Sequence, residues 1–193
     1  AAEGSPLDFT VELSNASTTP TSVTLTLAET GSGVGHASLG TGGDIASTAV
    51  ILFDDGSQIT ASGLFSSTGA TISVPAGVVS FTVSIPTSDD SVFEGRETLT
   101  LRAATPTDIS AGTLPVIGTG TITDIADLPR VATISDAVAA EGSPLDFTVA
   151  LSNASTTPTS VTLTLAETGS GVGHASIATD TPQQMLVSFD GGT

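Results

Sequence analysis

Four carboxylates fall within nine residues of the stretch TSDDSVFEGRETLTL: Asp89, Asp90, Glu94 and Glu97. Arg96 is the single cation among them. Like charges this close repel, and in a folded loop each raises the pKa of its neighbours. Relief comes from a proton, from solvent, from the arginine or from a bound metal ion. Oxygen-only donors suit a hard cation, and Ca2+ takes about six to eight of them from carboxylates and main-chain carbonyls. Two further acidic points stand at strand ends. Glu3 in AAEGSP, repeated as Glu141, precedes a strand pattern, and Asp124 with Asp127 in TITDIAD follows another. In an antiparallel sandwich these three points can share one end.

The charge balance supports that chemistry and excludes others. The chain has 193 residues, with 20 acidic residues, no lysine, and only Arg96, Arg102 and Arg130 as permanent cations. A net charge of −17 excludes partners bound through phosphates, because nucleic-acid affinity rests on cationic contacts. It also argues against anionic membrane surfaces. Hydrophobic residues make up 38% and mean hydropathy is positive, so the chain has apolar surface to bury and is expected to fold. Cysteine is absent, so any stabilising crosslink is not a disulfide. No apolar run reaches membrane-spanning length, so no membrane insertion is expected. The opening AAEGSPLDF reads as the middle of a domain, without a signal peptide.

An internal repeat organises the chain. Ala1–Ser38 returns as Ala139–Ser176 with one change, Glu12 to Ala150. The copies then diverge and approach again at VILFDDG (Val50–Gly56) and LVSFDGG (Leu186–Gly192), after a two-residue shift. Near-identity over this length points to a tandem array of one structural unit. The expected domains are residues 1–128, one repeat with a truncated first strand, and 129–193, the N-terminal half of the next. The second copy lacks a counterpart of Ser57–Leu128. Three arrangements follow. The half repeat is frayed, or another chain completes it by strand complementation, or Ser57–Val138 pairs with it and leaves Ala1–Gly56 alone.

The elements that must position the carboxylates read as strands. Leu7, Phe9, Val11 and Leu13 alternate with polar residues, as do Val23, Leu25 and Leu27, then Val79 to Ile85, then Leu99, Leu101 and Ala103. This is the period of a half-buried strand. GTGTITD around Ile122 and VATIS (Val131–Ser135) add two more, and Gly and Pro punctuate the gaps. No window shows a helical stripe with caps. About seven short strands per unit predict an all-β fold, an immunoglobulin-like antiparallel Greek-key sandwich, in tandem repeat.

Other motifs carry less. His36 and His174 sit in GSGVGHAS. No helix pattern or cation accompanies them, so a phosphate cradle fails on context. The register of a nucleophile elbow is also absent, and the segment reads as a loop. GTGGD (Gly40–Asp44) resembles part of a calcium-binding glycine-rich nonapeptide but occurs once, so it reads as a loop too. NAS at Asn15 and Asn153 is read as a plain loop.

The EG near the start, the DDSVFEGRET turn and the closing GTGTITD resemble Calx-beta domains. They are most similar to the Calx-beta-like extender repeats of giant RTX adhesins, which bacteria export by type I secretion. The likeness spans most of Ala1–Asp127 and resumes at Val131. It implies a Ca2+ site. Glu3 and Glu141 would be ligands from the first strand. Asp89, Asp90, Glu94 and Glu97 would come from the turn, with the Val92 carbonyl between them, and Asp124 and Asp127 from the linker. Glu29 and Glu167, in LAETG, sit where the family often has an acidic residue. Arg96 stands where the family usually has an acid, and the exit reads DIAD rather than a run of aspartates. Both departures lower the local charge and imply one or two ions per unit.

The expected function is structural. The module would be an extender that projects a distal adhesive region from a bacterial cell surface, outside the cell, in adhesion and biofilm formation. Its partners would be neighbouring identical repeats, and Ca2+ at the end of each domain would stiffen the linker Thr123–Arg130. The alternative is a carbohydrate- or ice-binding module. Against it, sugar-binding sandwiches use aromatic platforms, and the chain has no Trp or Tyr. An enzyme is not expected: glycosidase-type carboxylate pairs sit in clefts with aromatic substrate contacts, which the sequence lacks.

Overall fold

Residues of period two become strands that bury one face. The computed structural model describes residues 1–40, 42–112, 114–177, 179–180 and 185–189. The strands are β1 (Leu7–Glu12), β2 (Thr21–Glu29), β3 (Thr48–Phe53), β4 (Gln58–Ser62), β5 (Ala70–Val74), β6 (Ser80–Ile85), β7 (Arg96–Ala104) and β8 (Val116–Thr123), followed by β9 (Val131–Ile134) and β10 (Val149–Leu151). Two four-stranded antiparallel sheets, ordered β1-β6-β3-β4 and β5-β2-β7-β8, pack against each other. The expected β-sandwich is what forms, with eight strands rather than about seven.

The core lies between the sheets. Phe9, Ile51, Phe53, Phe81 and Val83 from one sheet are buried with Val23, Leu25, Ile72, Val74, Leu99 and Leu101 from the other. The Phe53 and Phe81 rings meet edge to face with centroids 5.9 Å apart. Each such side chain contributes about 1.5–3 kcal/mol on leaving water. β1 and β8 close one edge of the sandwich, and glycine makes the closure possible. A Cβ on Gly120 would lie 2.6 Å from both Leu7 Cδ2 and Phe9 Cζ.

A short helix, α1 (Pro106–Ala111), links β7 to β8, although the sequence shows no helical stripe. It is set by its first turn. The Thr105 N–H and hydroxyl donate to Asp108 Oδ2 at 2.8 and 2.7 Å, and the Asp108 N–H donates to Thr105 Oγ1 at 3.3 Å. This is a reciprocal cap with proline at the first helical position.

The repeated sequence does not repeat the strands. Leu7–Glu12 pairs with β6 throughout, whereas its copy, residues 145–150, is strand only at Val149 and Ala150, within β10, which pairs with β9. Leu7 is 6% exposed and its equivalent Leu145 is 47% exposed. β1 and β3 flank β6, and β2 lies between β5 and β7. Ala1–Gly56 is therefore built into the sandwich, and the arrangement that leaves it alone is not adopted. The strands that pair with those residues, β4 to β7, follow directly in the chain, and the second copy has no counterpart of them. The residues after Thr159 group as a separate unit, Ser160–Thr193. Within it Leu163 is 39% exposed, against 0% for its equivalent Leu25. The end of the second FDGG segment, Asp190–Gly192, lies outside the described residues.

The closed edge gives a first prediction. Gly120→Val should destabilise the protein by about 2–4 kcal/mol through overpacking against Leu7 and Phe9. Thr119→Val, at the exposed neighbouring position, should change stability by less than about 0.5 kcal/mol. Urea unfolding of both variants checks the difference.

Candidate metal centre

The carboxylates converge because strand ends and three loops meet at one end of the sandwich. β7 and β8 each carry an acid in the inward phase. Glu97 precedes Leu99 and Leu101 on the buried face of β7, and Asp124 follows Gly120 and Ile122 at the end of β8. They are 8% and 4% exposed. The apolar core therefore ends in two buried carboxylates.

Glu3 arrives from the edge. Ala2 and Thr123 form a parallel bridge, and the Glu3 N–H donates to the Thr123 carbonyl at 3.1 Å. The chain then turns at Gly4, whose N–H donates to the Ser88 carbonyl at 3.0 Å. Gly4 has φ 72°, and a Cβ there would lie 3.0 Å from Asp89 Cβ. Only glycine suits that conformation and that approach, so the EG pair has a geometric cause.

The acidic turn is tied to β8. The Glu94 N–H donates to Asp124 Oδ2 at 2.9 Å, and the Asp124 N–H donates to the Gly95 carbonyl at 3.0 Å. The Asp127 N–H donates to Asp124 Oδ1 at 3.3 Å, which folds the linker back onto the turn. The Val92 N–H donates to Asp90 Oδ1 at 2.7 Å, and Val92 is half-buried.

Two triads result. Glu3, Asp44 and Glu94 each offer an oxygen within 4.8 Å of the others, and so do Glu3, Asp124 and Asp127. Glu3 belongs to both. Its Oε2 is buried and, among the described residues, has no hydrogen-bond partner. These acidic clusters have the spacing to hold a metal ion.

Asp44 is the residue that sequence reasoning missed. It lies in the GTGGD loop and reaches the site by an antiparallel bridge between Ile45 and Thr87. The Ser88 N–H donates to its carbonyl at 2.8 Å. Its side chain accepts from the Ser38 N–H at 2.6 Å. The available signal was the acid closing a glycine-rich loop, and the second copy holds the same contact in a register two residues shorter, from the Ser176 N–H to Asp180 Oδ2 at 2.7 Å.

Of the expected ligands, Glu3, Glu94, Asp124 and Asp127 are brought together. Glu97 stands close enough to feel Asp44, Glu94 and Glu3. Asp89 and Asp90 are exposed and act on Glu3 through space. Glu29 lies outside both triads, where it accepts from the Leu39 N–H at 3.3 Å. Glu167 does the same for Ile177 at 2.8 Å. Glu141 is exposed and belongs to neither triad. Arg96 does not staple the turn: its guanidinium donates to Thr121 Oγ1 at 3.4 Å.

Electrostatics follows from this geometry. Burial pushes the Glu3 carboxyl from 4.5 up to about 7, and Asp124, Asp90, Glu94 and Asp89 push the same way. Burial pushes Glu97 up to about 8, with Asp44 and Glu94 adding to it. Glu94 is raised by burial and then by Asp44 and Asp90. Asp127 is raised by desolvation and by Asp124. Asp44 lies within hydrogen-bond reach of Glu94 and Glu97. Two carboxylates can share such a contact only through a proton or a cation.

The sign of the pH effect is opposite to that of a salt-bridged acid. The folded state holds protons on Glu3 and Glu97 that the unfolded chain releases near 4.5. Their stabilisation is complete below that value and is lost as pH rises through about 7 and 8. Asp55 and Asp108 are lowered by hydrogen bonds from Ser57 and Thr105, so their effect lies below the usual 3.8. In chelator, the melting temperature should fall between about pH 5 and about pH 9. Glu97→Gln should flatten that fall. A melting temperature that rises over the same window contradicts the arrangement.

Comparison of the chain with family models, with curated proteins and with solved structures gave no match.

Proposed function

We infer that the chain is a calcium-binding structural module whose ion locks one end of the sandwich and the linker that leaves it. The observation that carries this reading is the buried, unpartnered Glu3 oxygen where two carboxylate triads meet. All the donors at this point are carboxylate oxygens, and they come from several loops and a strand end rather than from one rigid element. That suits Ca2+ better than Mg2+, which demands near-ideal octahedral geometry and keeps several waters.

The ion would act on stability and on shape. Without it, the crowded carboxyls repel one another as they ionise, which favours loosening. With it, Glu3 from the entry, Asp44 and Glu94 from two loops, and Asp124 and Asp127 from the exit would be held together. Because the ion binds only where the fold assembles its ligands, it stabilises by mass action. The near-identical repeat and the resemblance to extender repeats support the wider reading. The module is one link in a long bacterial surface adhesin, outside the cell, that projects a distal adhesive region. Among the described residues no helix is long and apolar enough to cross a membrane.

Calcium at about a hundredfold excess over its Kd should raise the melting temperature by roughly 5–15 °C relative to chelator. Glu3→Gln, Asp44→Asn and Asp124→Asn should each weaken calcium binding by about tenfold or more, read by calorimetry. Glu29→Gln should leave it within about threefold. A melting curve and a scattering profile identical in calcium and chelator would sink the proposal.

A further inference from the structure

The acidic turn holds more than carboxylates. Between Val92 and Glu94, Phe93 carries a second short ladder. Its N–H donates to the Ala154 carbonyl at 2.9 Å, and its carbonyl accepts from the Thr156 N–H at 2.9 Å. Phe93 and Ser155 thus form a parallel bridge. Around it the Asn153 side chain donates to the Asp127 carbonyl. The Ser152 N–H donates to the Arg130 carbonyl at 2.8 Å, and the Arg130 N–H donates to Ser152 Oγ at 3.0 Å. The SNAST loop of the second copy is seated on the metal end of the sandwich.

The same loop occurs in the first copy, as Ser14–Thr18, where β1 runs into β2 at the opposite end. Its local conformation is already set. The Thr19 N–H donates to Ser17 Oγ at 3.2 Å, as the Thr157 N–H donates to Ser155 Oγ at 3.0 Å. One edge is used within the sandwich: the Ser17 carbonyl accepts from the Gly77 N–H at 2.8 Å. The other edge presents the Ala16 carbonyl and the Thr18 N–H. These are the equivalents of the two groups that hold Phe93 in the second copy. Ala16 and Thr18 are exposed. Among the described residues the Ala16 carbonyl meets only the Asn15 side chain, at 3.2 Å, and the Thr18 N–H has no partner.

We propose that Ser14–Thr18 is a docking surface for the Val92–Glu94 turn of another copy of this sandwich, bridged Phe93 to Ser17, so that copies stack head to tail. The proposal deepens the extender reading and rests on it for the biological setting. The stacking needs no new chemistry, because the chain already makes this contact once. Such a contact joins two different surfaces, so it passes from copy to copy rather than closing a two-fold dimer. Within one chain the second copy's loop competes for Phe93 at an effective concentration on the order of millimolar. Association between chains therefore appears when that loop is disabled.

The absence of cysteine makes cross-linking clean. In the full chain, Phe93→Cys with Ser155→Cys should close an intrachain disulfide. Phe93→Cys with Ser17→Cys is then placed in a full chain carrying Thr156→Pro, which removes the competing donor. Intermolecular disulfides should appear as dimers and longer ladders on a non-reducing gel. They should exceed those of the same pair without Thr156→Pro by roughly tenfold and should be lost when Thr18→Pro is added. A second background, Ser152→Ala with Asn153→Ala, keeps every backbone group and removes only the side-chain ties. It should give the same ladders. Absence of ladders in both backgrounds, or ladders undiminished by Thr18→Pro, overturns the proposal. Each arm is run in calcium and in chelator. Ladders that form equally in both support the docking surface even where the calcium reading fails, so the two failures are distinguishable.

Discussion

Removing carboxylates from water without giving them a counter-charge is the constraint on which this structure turns. A buried, unpaired carboxylate is costly, and the usual outcome is a shifted pKa. Here the inward rows of two strands end in Glu97 and Asp124 rather than in leucine. Glu3 and Asp44 are then brought over them by backbone bonds that no side chain can dissolve. The fold thus creates an electrostatic debt at one end, and a proton or a cation must settle it. Stability and its pH response depend on how that charge is settled.

Much of this was legible in the amino acids. Period-two alternation located most strands of the sandwich because each buries one face. The Glu97 position was readable too, since ETLTL puts that acid in step with Leu99 and Leu101. Asp44 was harder. It is 45 residues or more from every other member of the site except Glu3, and the bridge between Ile45 and Thr87 that delivers it has no local signature. The α1 helix escaped for the opposite reason. It is shorter than two turns, without an amphipathic stripe, and its cap lies in four residues, Thr105 to Asp108.

The two copies separate what a sequence dictates alone from what it dictates in company. The segment that begins at Glu29 forms several of its internal contacts in both copies. Thr30 Oγ1 and His36 Nδ1 lie 2.6 Å apart, and Thr168 and His174 meet likewise at 3.3 Å. In each copy the histidine covers a glycine, Gly31 or Gly169, where a Cβ would lie 2.6 Å from the ring. Those interactions span few residues and need no distant partner. The strand residues differ. Without β5, β6 and β7 beside them, the same apolar residues that fill the core stay exposed. Strand structure is a property of pairs of segments, whereas a glycine-rich loop can be a property of one.

The segment entering the sandwich runs parallel to the end of its last strand, at the Ala2–Thr123 bridge. Tension on a polypeptide pulls its two termini apart. With these segments side by side and pointing the same way, the load falls on their cross-links together, in shear, rather than peeling them one at a time. Glu3 and Asp124 sit at the end of that seam, so an ion bridging them would act as a rivet across it.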